Sequence, residues 1–158
     1  MYDVIIVGCG VVGAAAAFEL SRYNLSLLVL EKENDVSCGT SKANSGILHA
    51  GYDCRPGSFM AKLNIEGAKL AGELCKKLDV PYRQCGSLVL AFSKEDEATL
   101  QELYERGRAN GVTGLELWDG AQTRNQEPSL NPEVRGALFA PSAAIVSPWE
   151  YTLWRKQL

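Results

Sequence analysis

Residues 7–15 read VGCGVVGAA, with three glycines, Gly8, Gly10 and Gly13, directly behind the apolar run DVIIV. That order constrains the fold more than any other feature of the chain. A glycine behind a short apolar run permits a tight turn. The alanine-rich stretch that follows, with Val12, Ala16 and Leu20 on one helical face, predicts a helix from Val12 to Arg22. YDVIIVG reads as a strand buried on both faces, and LSLLVLEKE as a second one after the polar turn YN. Strand, glycine turn, helix and strand make one βαβ unit.

Such a turn is suited to holding a pyrophosphate. Gly8 permits the turn off the strand, Gly10 lets the backbone approach the phosphates, and Gly13 lets the helix pack closely on the sheet. The helix start then offers unpaired N–H groups and the positive end of its dipole. Glu31, at the end of the second strand, stands about 20 residues beyond the turn, where a carboxylate accepts the ribose hydroxyls. It also disfavours a 2′-phosphate, and with it NADP. FAD and NAD share the ADP half that this pattern recognises, so the glycines alone leave both open, beside the plainer reading of a turn with no ligand.

The next segment favours a long, flat cofactor. Residues 37–58, SCGTSKANSGILHAGYDCRPGS, are small, polar and rich in glycine, which fits a binding loop better than a linker. Within it Ser41, Asn44 and Ser45 are candidate hydrogen-bond partners, and Gly46 permits close backbone approach. A helix is expected over FMAKLNIEGAKLAGELCKKLD, with Met60, Leu63, Ala68, Ala71, Leu74 and Leu78 at helical spacing, before Pro81 interrupts. CGSLVLAFS reads as a strand, and KEDEATLQELYERGRANG as a helix with an acidic start, closed by Gly111.

A net charge of −3 without a Lys or Arg block gives no footprint for nucleic acid. No apolar run reaches the ~18 residues of a membrane span, and the N-terminus, with Asp3 and no basic flank, is unlike a signal peptide. Five cysteines without a Cys-x-x-Cys pair match neither a disulfide framework nor a zinc site, so no metal is expected and the thiols are read as reduced, in a cytoplasmic protein.

DVIIVGCGVVGAAAAFEL, LLVLEKE and GTSKANSGILHAGYDCRPGSFMAKLN together resemble the N-terminus of FAD-dependent oxidoreductases of the D-amino acid oxidase superfamily. Within it the chain is most similar to the anaerobic glycerol-3-phosphate dehydrogenases and the L-2-hydroxyglutarate oxidases. SKANSGILHAGY carries the subgroup, and the likeness continues through QEPSLNPEVRGALFAPSAAIVSP and WEYTL. The resemblance implies an α/β fold, a GR2-type FAD-binding Rossmann-like βαβ unit joined to the first part of an α+β substrate domain. On that reading residues 1–80 begin the FAD-binding domain, 81–144 begin the substrate domain, and 145–158 return to the first.

Carried over by position, the resemblance implies FAD as cofactor, with an ADP cradle from Gly8, Gly10, Val12 and Gly13. It places Glu31 on the ribose with Lys32 beside it. Thr40, Ser41, Asn44, Ser45 and Gly46 follow along the pyrophosphate and toward the flavin. His49 and Tyr52 are expected near the isoalloxazine, with His49 the candidate catalytic residue as acceptor of the alcohol proton. Arg55 is a weaker candidate for meeting an anionic substrate. The implied chemistry is oxidation of a small anionic secondary alcohol, sn-glycerol 3-phosphate to dihydroxyacetone phosphate, with L-2-hydroxyglutarate as the alternative substrate. Electrons then pass to a separate acceptor. A non-catalytic adenine-dinucleotide-binding module, or an inactive truncated product, is the alternative from outside the enzyme class.

Two departures from the family matter. Alanine stands at 144, in SAAIVSP, where glycine is expected, and would be strained if that turn needs a positive φ. The relatives are also longer, two-domain enzymes, and the closing WRKQL is unlike the amphipathic helix with which they continue. A truncated or frameshifted product is the expectation.

Overall fold

The computed structural model describes residues 1–153. In chain order its elements are β1 (Val4–Val7), α1 (Val11–Leu20), β2 (Leu27–Leu30), β3 (Ile47–Leu48), α2 (Phe59–Leu78), β4 (Tyr82–Arg83) and β5 (Ser87–Ala91), then α3 (Lys94–Ala109), β6 (Glu116–Asp119), α4 (Gly120–Gln126), β7 (Gly136–Ala140), β8 (Ala144–Val146) and α5 (Pro148–Leu153). The chain divides into two compact units, one built from residues 1–47, 73–82 and 146 onward, the other from 48–72 and 83–145. The expected frameshifted tail, residues 154–158, lies outside the described residues.

The first unit is the predicted βαβ. β1 and β2 run parallel, from Val4 opposite Leu27 to Val7 opposite Leu30. Its core gathers Ala14 and Phe18 of α1 with Cys75 and Leu78 of α2 and Val80, and Tyr151 of α5 packs against them. α2 ends there in a left-handed cap: Asp79 has φ of 57°, Val80 N–H reaches Cys75 O and Asp79 N–H reaches Lys76 O. These two bonds close the helix as a Schellman motif.

Two expectations for this unit are corrected. β1 is not buried on both faces: Ile5 is 54% and Val7 85% exposed, while Val4 and Ile6 are half-buried. A strand is buried on both faces only when the sheet is covered on both, and β1 and β2 form a sheet of only two strands among the described residues. In α1 the buried residues are Ala14 and Phe18, and Val12 is 80% exposed. The helix face turned to the sheet begins at Gly13, where a side chain is excluded, so Val12 points away from it.

The second unit is a three-stranded antiparallel sheet in the order β5-β7-β6, Val89 lying opposite Leu138 and Leu138 opposite Leu117. α3 covers one face, with Leu100, Ala91 and Leu138 buried together and Leu103, Tyr104 and Leu115 packed around them. A second cluster joins Ala50, Val112, Ala140 and Ala143. Of the predicted stripe on α2, Met60 and Leu63 are exposed while Ala71 and Leu78 are buried, so it is only half realised. The buried positions on α2 are the small ones, Ala61, Ala71 and Cys75, together with Leu78.

Ala144 sits in β8, 2% exposed. Its φ is not positive, since among the described non-glycine residues only Ser37 and Asp79 lie in the left-handed region. Alanine is therefore unstrained there.

Candidate functional site

The site is the loop between β1 and α1. Gly8 has φ of 96°, a conformation that L side chains avoid, and its N–H donates to Leu30 O at 2.7 Å. A Cβ at Gly13 would overlap the Gly8 carbonyl oxygen and stand 3.4 Å from Ile6 Cγ2. The first glycine thus sets the turn, and the third lets the helix lie against it. α1 begins at an N-cap, Gly10, with no side-chain cap. Its first backbone bond is Ala14 N–H to Gly10 O, so the N–H groups of Val12 and Gly13 precede the helical ladder and point out of its start.

The other helix starts show that this is a choice. α3 is closed by a reciprocal capping box: Asp96 N–H donates to Ser93 Oγ, and Asp96 Oδ2 accepts the Ser93 N–H. α4 is closed by Asp119, whose Oδ1 accepts the Gln122 N–H. Of these three only α1 has no cap from its own N-cap residue; the distant Ser41 hydroxyl takes the Val11 N–H, and the start lies beside a cleft of about 380 Å³ lined by Gly8, Gly10, Glu31, Lys32, Thr40 and Ser41, among others.

Glu31 borders the cleft and also builds it. Its Oε2 accepts the Cys9 N–H at 2.7 Å, and its Oε1 accepts the N–H groups of Lys32 and Glu33 at 2.8 and 3.1 Å. These backbone donors, Cys9 first, hold its carboxyl below the usual carboxylate range. The group is thus an anion with acceptor capacity left, suited to ribose hydroxyls and opposed to a further phosphate. Burial and the neighbouring Glu31 charge push the Cys9 thiol up, so it stays protonated.

Residues 37–46 border the cleft through positions 38–41 and are pinned at three points along their length. At one end Ser37, buried and with φ of 61°, donates its N–H to Cys9 O at 3.0 Å, and its hydroxyl meets Thr152 Oγ1 at 3.4 Å. In the middle Ser41 Oγ accepts the Val11 N–H at 2.9 Å, which places it over the helix start. At the far end the Asn44 side chain bonds back to Thr40, Ser41 and Gly46. Gly46, with φ of 66°, accepts the Val146 N–H at 2.8 Å, and a Cβ there would overlap Val146 O.

The structure therefore brings Gly8, Gly10, Glu31, Lys32, Thr40 and Ser41 to one cleft, with Val12 and Gly13 on the adjoining helix turn. Lys32 is exposed and pairs with Glu33 at 3.4 Å. Asn44, Ser45 and Gly46 do not line the cleft. His49 belongs to the second unit and is exposed, as is Arg55. Tyr52 is half-buried beside α3, and burial pushes its phenol up, partly offset by a hydrogen bond with the Ser87 side chain. Among the described residues no cluster of metal-ligating side chains occurs. Ser37 and Thr152 escaped the sequence reading, because a positive φ is signalled by glycine or asparagine and a serine in a polar loop carries no such mark.

These donors fit a dinucleotide. An uncapped helix start, backbone N–H groups at a positive-φ turn, and an ionised carboxylate at the end of the second strand match the needs of a pyrophosphate and a ribose.

Comparison with known proteins gives the same direction. Residues 3–156 match the family described as "FAD dependent oxidoreductase". The chain is 46% identical over 153 residues to a glycerol 3-phosphate dehydrogenase of Caloramator mitchellensis, covering 97% of this chain and 32% of that one. It is 40% identical to the mitochondrial L-2-hydroxyglutarate dehydrogenase of Dictyostelium discoideum, covering 92% and 33%. Among solved structures, the dithionite-reduced L-alpha-glycerophosphate oxidase of Mycoplasma pneumoniae with FAD bound superposes with a TM-score of 0.89 at 34% identity, over 96% of this chain and 40% of that one. The chain thus spans about a third of the length of these curated relatives.

Proposed function

The chain belongs to the FAD-dependent oxidoreductases, and from that premise we propose that its glycine loop holds the ADP half of FAD for the oxidation of a small anionic secondary alcohol, sn-glycerol 3-phosphate before L-2-hydroxyglutarate. The observation that carries the cofactor assignment is the uncapped start of α1 beside the cleft that Glu31 borders. The substrate order rests on the higher identity to the glycerol 3-phosphate dehydrogenase.

In this reading the N–H groups of Val12 and Gly13, with the positive end of the α1 dipole, bind the pyrophosphate. Glu31 accepts the ribose hydroxyls, and Ser41 and Thr40 close over the phosphates. Bound FAD supplies the two-electron acceptor that a secondary alcohol needs in becoming a ketone. His49 takes the hydroxyl proton as the substrate is oxidised, contributing about 10²–10⁴-fold to the rate as a general base. A separate acceptor then removes the electrons.

The test is to titrate the chain with ADP and FAD, and to expose the flavin complex anaerobically to each substrate. The same is done with a chain extended to the relatives' full length. Bleaching by glycerol 3-phosphate but not by L-2-hydroxyglutarate supports the proposal, and the reverse assigns the other substrate. ADP affinity with no bleaching in either chain would make this a non-catalytic nucleotide-binding module.

A further inference from the structure

We propose that Asn44 is a positioning residue: it sets Thr40 and Ser41 over the start of α1, and so governs affinity for the pyrophosphate without touching it. The inference rests on the reading of the cleft as an ADP site. It assigns Asn44 a different role from that of a direct cofactor contact.

The argument is one of donors and acceptors. A side-chain amide has two N–H groups and one carbonyl oxygen. Asn44 Nδ2 donates to Thr40 O at 3.0 Å and to Ser41 O at 2.9 Å, and Oδ1 accepts the Gly46 N–H at 2.8 Å. The partners fix the orientation of the amide, since turning it over would set oxygen against two carbonyls and N–H against N–H. Both donors are therefore engaged, and only a lone pair on Oδ1 remains. A phosphate offers acceptors alone, so nothing on this side chain is left to bind it.

What the bonds achieve is geometric. They draw the carbonyls of residues 40 and 41 back toward Asn44 and turn the Ser41 hydroxyl to the helix, where it accepts the Val11 N–H at 2.9 Å. Ser41 Oγ also stands 3.0 Å from where a Cβ at Gly10 would lie, so its placement is tight. Loss of the amide frees Ser41 from the helix start while leaving every backbone donor of α1 in place.

Two readouts test this on the 158-residue chain: hydrogen exchange of the Val11 amide without ligand, and ADP affinity by calorimetry for wild type, Asn44→Ala, Ser41→Ala and the double variant. Asn44→Ala is expected to speed Val11 exchange to the level of Ser41→Ala and to weaken ADP binding about tenfold. The double variant should bind within about twofold of Ser41→Ala, because both changes break one linkage. Asn44→Asp, which keeps the acceptor for Gly46 but loses the two donors, should repeat the Val11 effect. Unchanged Val11 exchange, unchanged ADP affinity, or losses that add in the double variant would overturn the proposal. If wild type binds no ADP while Asn44→Ala still frees Val11, the positioning of Ser41 stands and the ADP reading of the cleft falls.

Discussion

Gly13 and Gly10 belong to one motif but differ in what a side chain would meet. A Cβ at Gly13 would overlap backbone, the Gly8 carbonyl, whereas one at Gly10 meets only a side chain, the Ser41 hydroxyl, at 3.0 Å. Gly13→Ala should therefore destabilise the chain by about 3 kcal/mol, and Gly10→Ala by no more than about 1 kcal/mol, read as shifts in thermal midpoint. Glu31 sets a dependence on pH. Its folded-state pKa is depressed by the Cys9, Glu33 and Lys32 N–H groups, so its contribution is present above the unfolded value of about 4.3 and is lost as pH falls through the lower folded value. Asp96 acts in the same direction, its carboxylate held by the Phe92 and Ser93 N–H groups. Acid titration of Glu31→Gln should show a shallower fall in stability than wild type, from a lower starting value at neutral pH. An unchanged slope would mean that the Cys9 bond does not form in solution.

At the scale of elements, the helices differ in what closes them. Ser93→Ala removes the cap of α3 and should lower stability by about 1 kcal/mol, seen as earlier loss of helical signal on heating. At α1 the N-cap is glycine, and the side chain over its start, Ser41, comes from a distant loop. Much of this was legible in the sequence. The glycine spacing gives β1 and the turn, KEDE announces an acidic helix start at α3, and Gly111, with φ of 83°, ends that helix as its position suggested. What was not legible depends on partners distant in sequence. Val12 looks like a core residue by spacing, but Gly13 decides which side of α1 meets the sheet. Asn44 looks like a ligand contact by composition, but its amide closes a loop of seven residues, 40–46, whose geometry no periodicity reports. α4 passed unnoticed because GAQTRNQ has neither an apolar stripe nor length, and it is held by the Asp119 cap and by Thr123, fully buried.

At the scale of the molecule, apolar surface is distributed unevenly within each unit. Ile5, Val7 and Leu30 are exposed on the strands of the first, and Phe59, Met60, Leu63 and Leu70 on α2 in the second. Exposed apolar side chains of this kind promote association. The 158-residue chain should therefore bind a hydrophobic dye in its native state and self-associate with rising concentration. Leu63→Lys with Leu70→Lys should reduce that association in sedimentation experiments, with the thermal midpoint nearly unchanged, because neither side chain is packed. No helix among the described residues is long and apolar enough to cross a membrane.

The triple backbone grip on Glu31 bears on how coenzyme preference in this chain can be redesigned. Exchanging the acidic residue at the end of the second strand for a small or basic one is the obvious way to admit a ribose carrying an extra phosphate. Here the same carboxylate ties the glycine turn to β2 through Cys9 and shapes the bend at Lys32 and Glu33. Altering it would loosen the floor of the cleft. A redesign has to supply a new anchor for the Cys9 amide before selectivity can be altered independently of the fold.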